Sequence, residues 1–166
     1  MSAETHEFDV LDAMRDRAQA LLAAKFGEDI PVRAEGKDDL TASIEEQIAR
    51  GTGLLVAVLN PAITEVEAAE TDTPILVISM TVQITAPMAR ADSASVSGLG
   101  LRVLRTLHRK EYLSSGQIRP FSLGGIRPNW KAKTGAYSPE FESAGIACWA
   151  ATFAAKIRMP AEEVAP

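Results

Sequence analysis

The sequence predicts an α+β fold: a mainly antiparallel sheet of about four to five strands, with helices packed on it. Three observations carry that reading. Residues 75–86 and 144–159 alternate apolar and wetter side chains, the two-residue period of strands with one buried face. Three other stretches repeat apolar residues at three- and four-residue spacing, the stripe of an amphipathic helix. The strands stand next to one another in sequence with short links, and the helices do not interleave with them regularly.

In order along the chain, the first helix is expected from Glu7 to Lys25, with Phe8, Leu11, Met14, Ala18, Leu21 and Leu22 on its apolar side and Gly27 ending it. A short strand, Pro31–Glu35, follows. Asp38 or Asp39 caps a second helix on which Leu40, Ile44 and Ile48 share a face, and Gly51 stops it. Gly53–Asn60 is apolar on both sides and reads as a covered strand. Pro61 breaks or bends it, and Ala62–Glu67 continues beyond the kink. After an acidic turn, Ile75–Ala86 places Leu76, Ile78, Met80, Val82 and Ile84 on one face. Asp92 or Ser93 caps a third helix over Ser95–Lys110, with Val96, Leu99, Val103, Leu104 and Leu107 inward. Gly98 and Gly100 within it each cost about 1 kcal/mol relative to alanine. Very close packing against a sheet or another chain would account for them. Residues 112–143 are rich in glycine and proline, with short strands expected at Gln117–Ser122 and Gly125–Lys133 and an exposed loop at Thr134–Ser143. The last strand, Ala144–Met159, turns Trp149, Ala151, Phe153, Ala155 and Ile157 to one face, and Pro160 ends it.

Length and composition bound the function. The chain has 166 residues, the size of one domain, expected over residues 1–160 with a loose tail at 161–166. With 46% hydrophobic and 23% charged residues it is too apolar for a disordered chain. The N-terminus lacks the basic start and apolar run of a secretory signal, and Leu54–Leu59 and Ile146–Ala151 fall far short of the ~20 residues that span a bilayer. A protein made in the cytosol, with no membrane contact, is the expectation. A single cysteine, Cys148, excludes an internal disulfide and a multi-cysteine metal site.

Charge is unevenly spread. The net charge is −5, yet residues 102–133 carry eight basic side chains (Arg102, Arg105, Arg109, Lys110, Arg119, Arg127, Lys131 and Lys133) against one carboxylate, Glu111. Such a window meets an anion, whether nucleic acid or the acidic face of another subunit, or it is simply the solvated face of a helix and loop. Tyr112, Phe121 and Trp130 stand among these charges. Aromatic rings beside cations serve both single-strand nucleic-acid binding and subunit interfaces, and the acidic total favours the interface.

The materials of catalysis are sparse. No phosphate-binding glycine loop is present, and Ser97-Gly98-Leu99-Gly100 lies inside a helical pattern. His108 sits beside Arg109 and Lys110 with no carboxylate to orient it, and Cys148 lies in a strand of small and apolar residues without a basic partner. No enzyme activity, catalytic residue, metal or cofactor is expected.

The layout resembles a known group. An N-terminal amphipathic helix, a short helix, two strands, the helix Ser93-Ala-Ser-Val-Ser-Gly-Leu-Gly-Leu-Arg-Val-Leu-Arg-Thr-Leu107, a loop-rich segment and the alternating strand Ile146–Met159 are similar to tail-terminator (tail-completion, head–tail joining) proteins of tailed bacteriophages and prophages, over residues 8–159. The resemblance implies a structural virion protein: a homo-oligomeric ring, usually a hexamer, that joins the tail tube to the head connector and assembles in the host cytoplasm. It supplies no catalytic residues. The basic window would then pair with an acidic neighbour or touch passing DNA. A small-ligand or peptide-binding module, and a nucleic-acid-binding protein using residues 102–133, stand as alternatives.

Overall fold

A computed structural model describes residues 4–49, 53–114, 121 and 129–159, with backbone alone for residues 4–9 and 48. Gly51, the segment expected as a strand at Gln117–Ser122 apart from Phe121, residues 122–128 and the tail after Met159 lie outside the described residues. The elements are α1 (Glu4–Phe26), β1 (Val32–Ala34), α2 (Leu40–Ala49), β2 (Leu55–Val58), β3 (Ala62–Glu67), β4 (Ile75–Pro87), α3 (Ser93–Leu107), β5 (Lys131–Tyr137), a 3-10 turn (Pro139–Ala144) and β6 (Ile146–Arg158).

The described strands form one six-stranded sheet in the order β1-β2-β4-β6-β5, with β3 also on β4. It is mixed: β1 and β2 run parallel and every other pair is antiparallel. The expected antiparallel character therefore holds apart from one pair, and the strand count exceeds four to five. The additional pair follows from the chain's path. A strand reached through the short helix α2 returns in the same direction as β1, whereas tight turns reverse direction.

The spine is β4 against β6, in unbroken register from Ile75 opposite Arg158 to Pro87 opposite Ile146. Since side chains alternate, Ile78, Met80, Val82 and Ile84 share one face with Trp149, Ala151, Phe153, Ala155 and Ile157, and all are buried. α1 and α3 lie on that face. α1 contributes Val10, Met14, Ala18, Leu22 and Phe26, and α3 contributes Val96, Leu99, Val103 and Leu107. The α1 stripe is thus centred one residue away from the expected one, leaving Leu11 and Leu21 at its margin. β2 and β3 are two halves of one strand bent at Pro61. β2 pairs with Val82–Thr85 and β3 with Ile75–Ser79 along the same edge of β4.

The other face is only partly covered. Arg33 points there and its Nε donates to Ser43 Oγ at 3.3 Å, so α2 sits over the β1–β2 end. Beyond it, Ser79, Thr81 and Gln83 of β4 and Ala150, Thr152 and Ala154 of β6 stay half-exposed. Asp39 proves to be the α2 cap, its Oδ1 accepting from Ala42 N at 3.0 Å. Asp38 does different work. Its Oδ2 accepts from Ala34 N at 2.9 Å and Gln19 Nε2 at 3.1 Å, latching α1 to β1. The amide bond from Ala34, above all, holds its carboxyl below the ordinary 3.8.

Two boundaries depart from expectation. β5 occupies Lys131–Tyr137, so Thr134–Tyr137 is strand rather than exposed loop. The pairing is tertiary: Gly135 fits against Trp149 of β6, which no local signal announces. α3 ends at Leu107, because Arg109 takes a left-handed conformation (φ +67°) that a helix cannot continue.

Candidate interaction surface

α3 starts with a side-chain cap: Asp92 Oδ1 accepts from Ser95 N at 2.8 Å. That bond holds the Asp92 carboxyl low. Burying Val96, Leu99, Gly100, Val103 and Leu107 leaves Leu101, Arg102 and Arg105 outward, and Leu101 is 62% exposed. Arg102 leans to one side, its guanidinium 5.0 Å from the Phe26 ring centroid. It thereby braces α1 by a cation–π contact.

The chain after α3 turns back along β5. His108 caps the helix through Leu104 O and its Nδ1 accepts from Ala132 N at 3.1 Å. Arg109 N donates to Trp130 O at 2.8 Å, and Trp130 N donates to Lys110 O at 2.9 Å. Glu111 bridges to Asn129. These bonds place Arg109 and Lys110 beside the start of β5, where Lys131 and Lys133 stand, with Arg105 one helical turn above. Five of the eight basic residues of the window are thus exposed around this end of the sheet, Lys131 on its open face and Arg105 on the helix side, and none of the five makes an ion pair among the described residues. Arg102 belongs to the α1 contact, and Arg119 and Arg127 lie outside the described residues.

The aromatic expectation needs correction. Trp130 is 0% and Tyr112 1% exposed, with ring centroids 6.2 Å apart at 70°, an edge-to-face pair inside the core. Both rings are taken up in the chain's own core packing. Phe121 is half-buried against the same core. Their spacing among cations looked like a surface, but the hairpin-like return of residues 109–111 onto 129–131 folds both rings inward. Burial pushes the Tyr112 hydroxyl up to about 12.

Holding Arg109 in the left-handed region costs a non-glycine residue about 1 kcal/mol or more. Arg109→Gly is therefore expected to keep or raise the melting temperature while removing one charge from the cluster. Thermal denaturation followed by circular dichroism measures it.

Sequence reasoning missed the opposite edge. β3 is exposed almost throughout, and its register with β4 puts Glu65 and Glu67 on the open face of the sheet and Ile63 and Val66 on the helix side. Ile63 and Val66 are each 47% exposed. Lys156 on β6 reaches Glu67 at 2.9 Å. The signal was present as Glu-x-Glu after Pro61, but without knowing that β3 lies at an edge it reads only as an acidic turn approach.

The fold has a solved counterpart. The chain is similar to one in a structure described as the virion of a native gene transfer agent (GTA) particle, with 16% identity and a TM-score of 0.54 over 89% of this chain and 93% of that one. The likeness is one of fold. No protein-family model and no curated protein sequence matches the chain.

Other features carry less chemistry. A polar cleft of about 380 Å³ between the end of α1 and α2 is lined by Glu28, Arg33, Ser43 and Glu46. No group of three or more His, Cys, Asp or Glu among the described residues could hold a metal ion, and no described helix is long and apolar enough to cross a membrane. Cys148 is buried, and burial, with Glu140 adding, pushes its thiol above the ordinary 9.0. It should therefore resist alkylation in the native chain at pH 8 and react once the chain is unfolded in guanidinium, which a thiol-reagent titration measures.

Proposed function

We propose that this chain is a structural component of a phage-like virion or tail-like particle, acting through contacts rather than catalysis. The observation that supports it is the shared fold with a chain of a gene transfer agent virion, extending over nearly the whole of both chains. Within that class the reading is a tail-terminator or tail-completion subunit: a ring, with a hexamer as its expected size, closing the tail tube and meeting the connector on the head side. An exposed basic cluster at one end of the sheet and an exposed acidic strand at the other support contact between copies. The test is particle assembly with the gene deleted. A cap that ends polymerisation leaves, when lost, tubes of uncontrolled length or tails unattached to heads, and the tagged chain should label the head–tail junction. Normal particles without the chain would overturn the reading.

The same basic cluster favours a second reading, contact with DNA. It requires an affinity that falls linearly on a log–log plot against salt, which a binding titration at several salt concentrations reads directly.

A further inference from the structure

We infer that copies of this chain join head to tail, the acidic β3 edge of one against the basic β5 edge of the next. The inference rests on the proposed assembly role and names the surface that would perform it.

Register places the two edges at the same level of the sheet. Ala62, Ser79, Ala154 and Lys131 form one row across β3, β4, β6 and β5. The next rows lead on β3 to Glu65 and Glu67, while at the other end the chain before Lys131 is flanked by Arg109 and Lys110. Acid and base therefore stand at opposite edges of the sheet, three strand spacings apart, about 14 Å.

The match extends through both layers. On the open side of the sheet Glu65 would meet Lys131, whose partner Ala154 lies on that face. On the helix side the exposed Ile63 and Val66 would meet Leu101, the exposed apolar residue of α3. Charged residues and bulges at sheet edges commonly serve to prevent pairing, and both strands carry a bulge. Protection alone is served as well by one sign on both edges. Opposite signs repel an edge from its own copy and attract it to the other, which disfavours two-fold dimers and selects a directional contact. Repeated, such a contact closes a ring or runs on as a filament.

The experiment uses the full chain in sedimentation velocity, with cysteine cross-linking as an independent readout. The wild type should self-associate and loosen as salt rises. E65K and K131E should each weaken association at least tenfold, and E65K/K131E in one chain should restore it. A variant carrying both E65C and K131C should give a ladder of covalent multimers on a non-reducing gel, while either cysteine alone gives none. A wild type that stays monomeric, charge reversals without effect, or covalent dimers from a single cysteine each overturn the inference. Incorporation into particles is scored separately. A chain that enters particles with both reversals silent keeps the assembly role and removes this interface.

Discussion

Gly100→Ala is expected to lower the melting temperature by about 4–8 °C, while Gly98→Ala, two residues earlier on the same helix, should raise it by about 2–4 °C. Alanine favours an α-helix over glycine by about 1 kcal/mol at either position. What differs is the space. A Cβ on Gly98 meets nothing within 4 Å, so the propensity gain is kept. A Cβ on Gly100 would stand 2.4 Å from Cδ2 and 2.5 Å from Cε3 of Trp149. The indole cannot retreat, because across the ring a Cβ on Gly135 would already stand 2.5 Å from Cζ2. Two glycines, one on α3 and one on β5, thus hold one tryptophan of β6 between them. Overpacking a closed site costs about 1–3 kcal/mol, and at the upper end the net loss after the propensity gain is about 2 kcal/mol. Paired thermal melts decide it. Equal effects at both positions would mean that the helix does not lie on the ring.

That pair also marks where the sequence was legible. The period of β4 and β6, the apolar stripe of α3, the Pro61 bend and the cap at Asp92 follow from local chemistry, and each falls where the pattern places it. The cost of Gly100 pointed to a close approach, and the structure supplies Trp149 as its cause. Gly98 has no such partner among the described residues. Positions fixed by long-range contact stayed hidden. β5 is a strand because Gly135 fits Trp149, and Tyr112 and Trp130 are core because residues 109–111 return beside 129–131. The basic cluster was readable as composition, but the acidic counterpart on β3 needed the sheet order, which sequence period does not contain. Arg15 was equally invisible: at helical spacing it reads as one more solvated charge.

Replacing Arg15 by methionine is expected to cost about 1.5–3 kcal/mol, the range for losing hydrogen bonds to a charged group. Arg15 is the described core's buried charged side chain, and its Nη1 donates to Glu35 O and Asn60 Oδ1, each at 2.9 Å. Its pairs with Asp12 and Asp16 involve exposed carboxylates and add little. The important partners are the two turns. Glu35 directly follows β1, and its own Oε1 accepts from Asn60 N at 3.0 Å. Asn60 sits directly before Pro61, where β2 bends into β3. One guanidinium on α1 therefore fixes the corner from which the acidic edge departs. Methionine fills the volume but abandons both acceptors. Lysine keeps the charge, but without the planar fork it cannot serve the carboxylate and both turns together, so Arg15→Lys should recover only part of the loss. Urea denaturation with an unchanged slope measures the stability term. If the corner is what Arg15 secures, Arg15→Met should also weaken self-association under conditions where the variant remains folded, because Glu65 and Val66 are presented by the strand that the corner aims. An equal loss of stability with undiminished association would confine Arg15 to the core and leave β3 positioned by β4 alone.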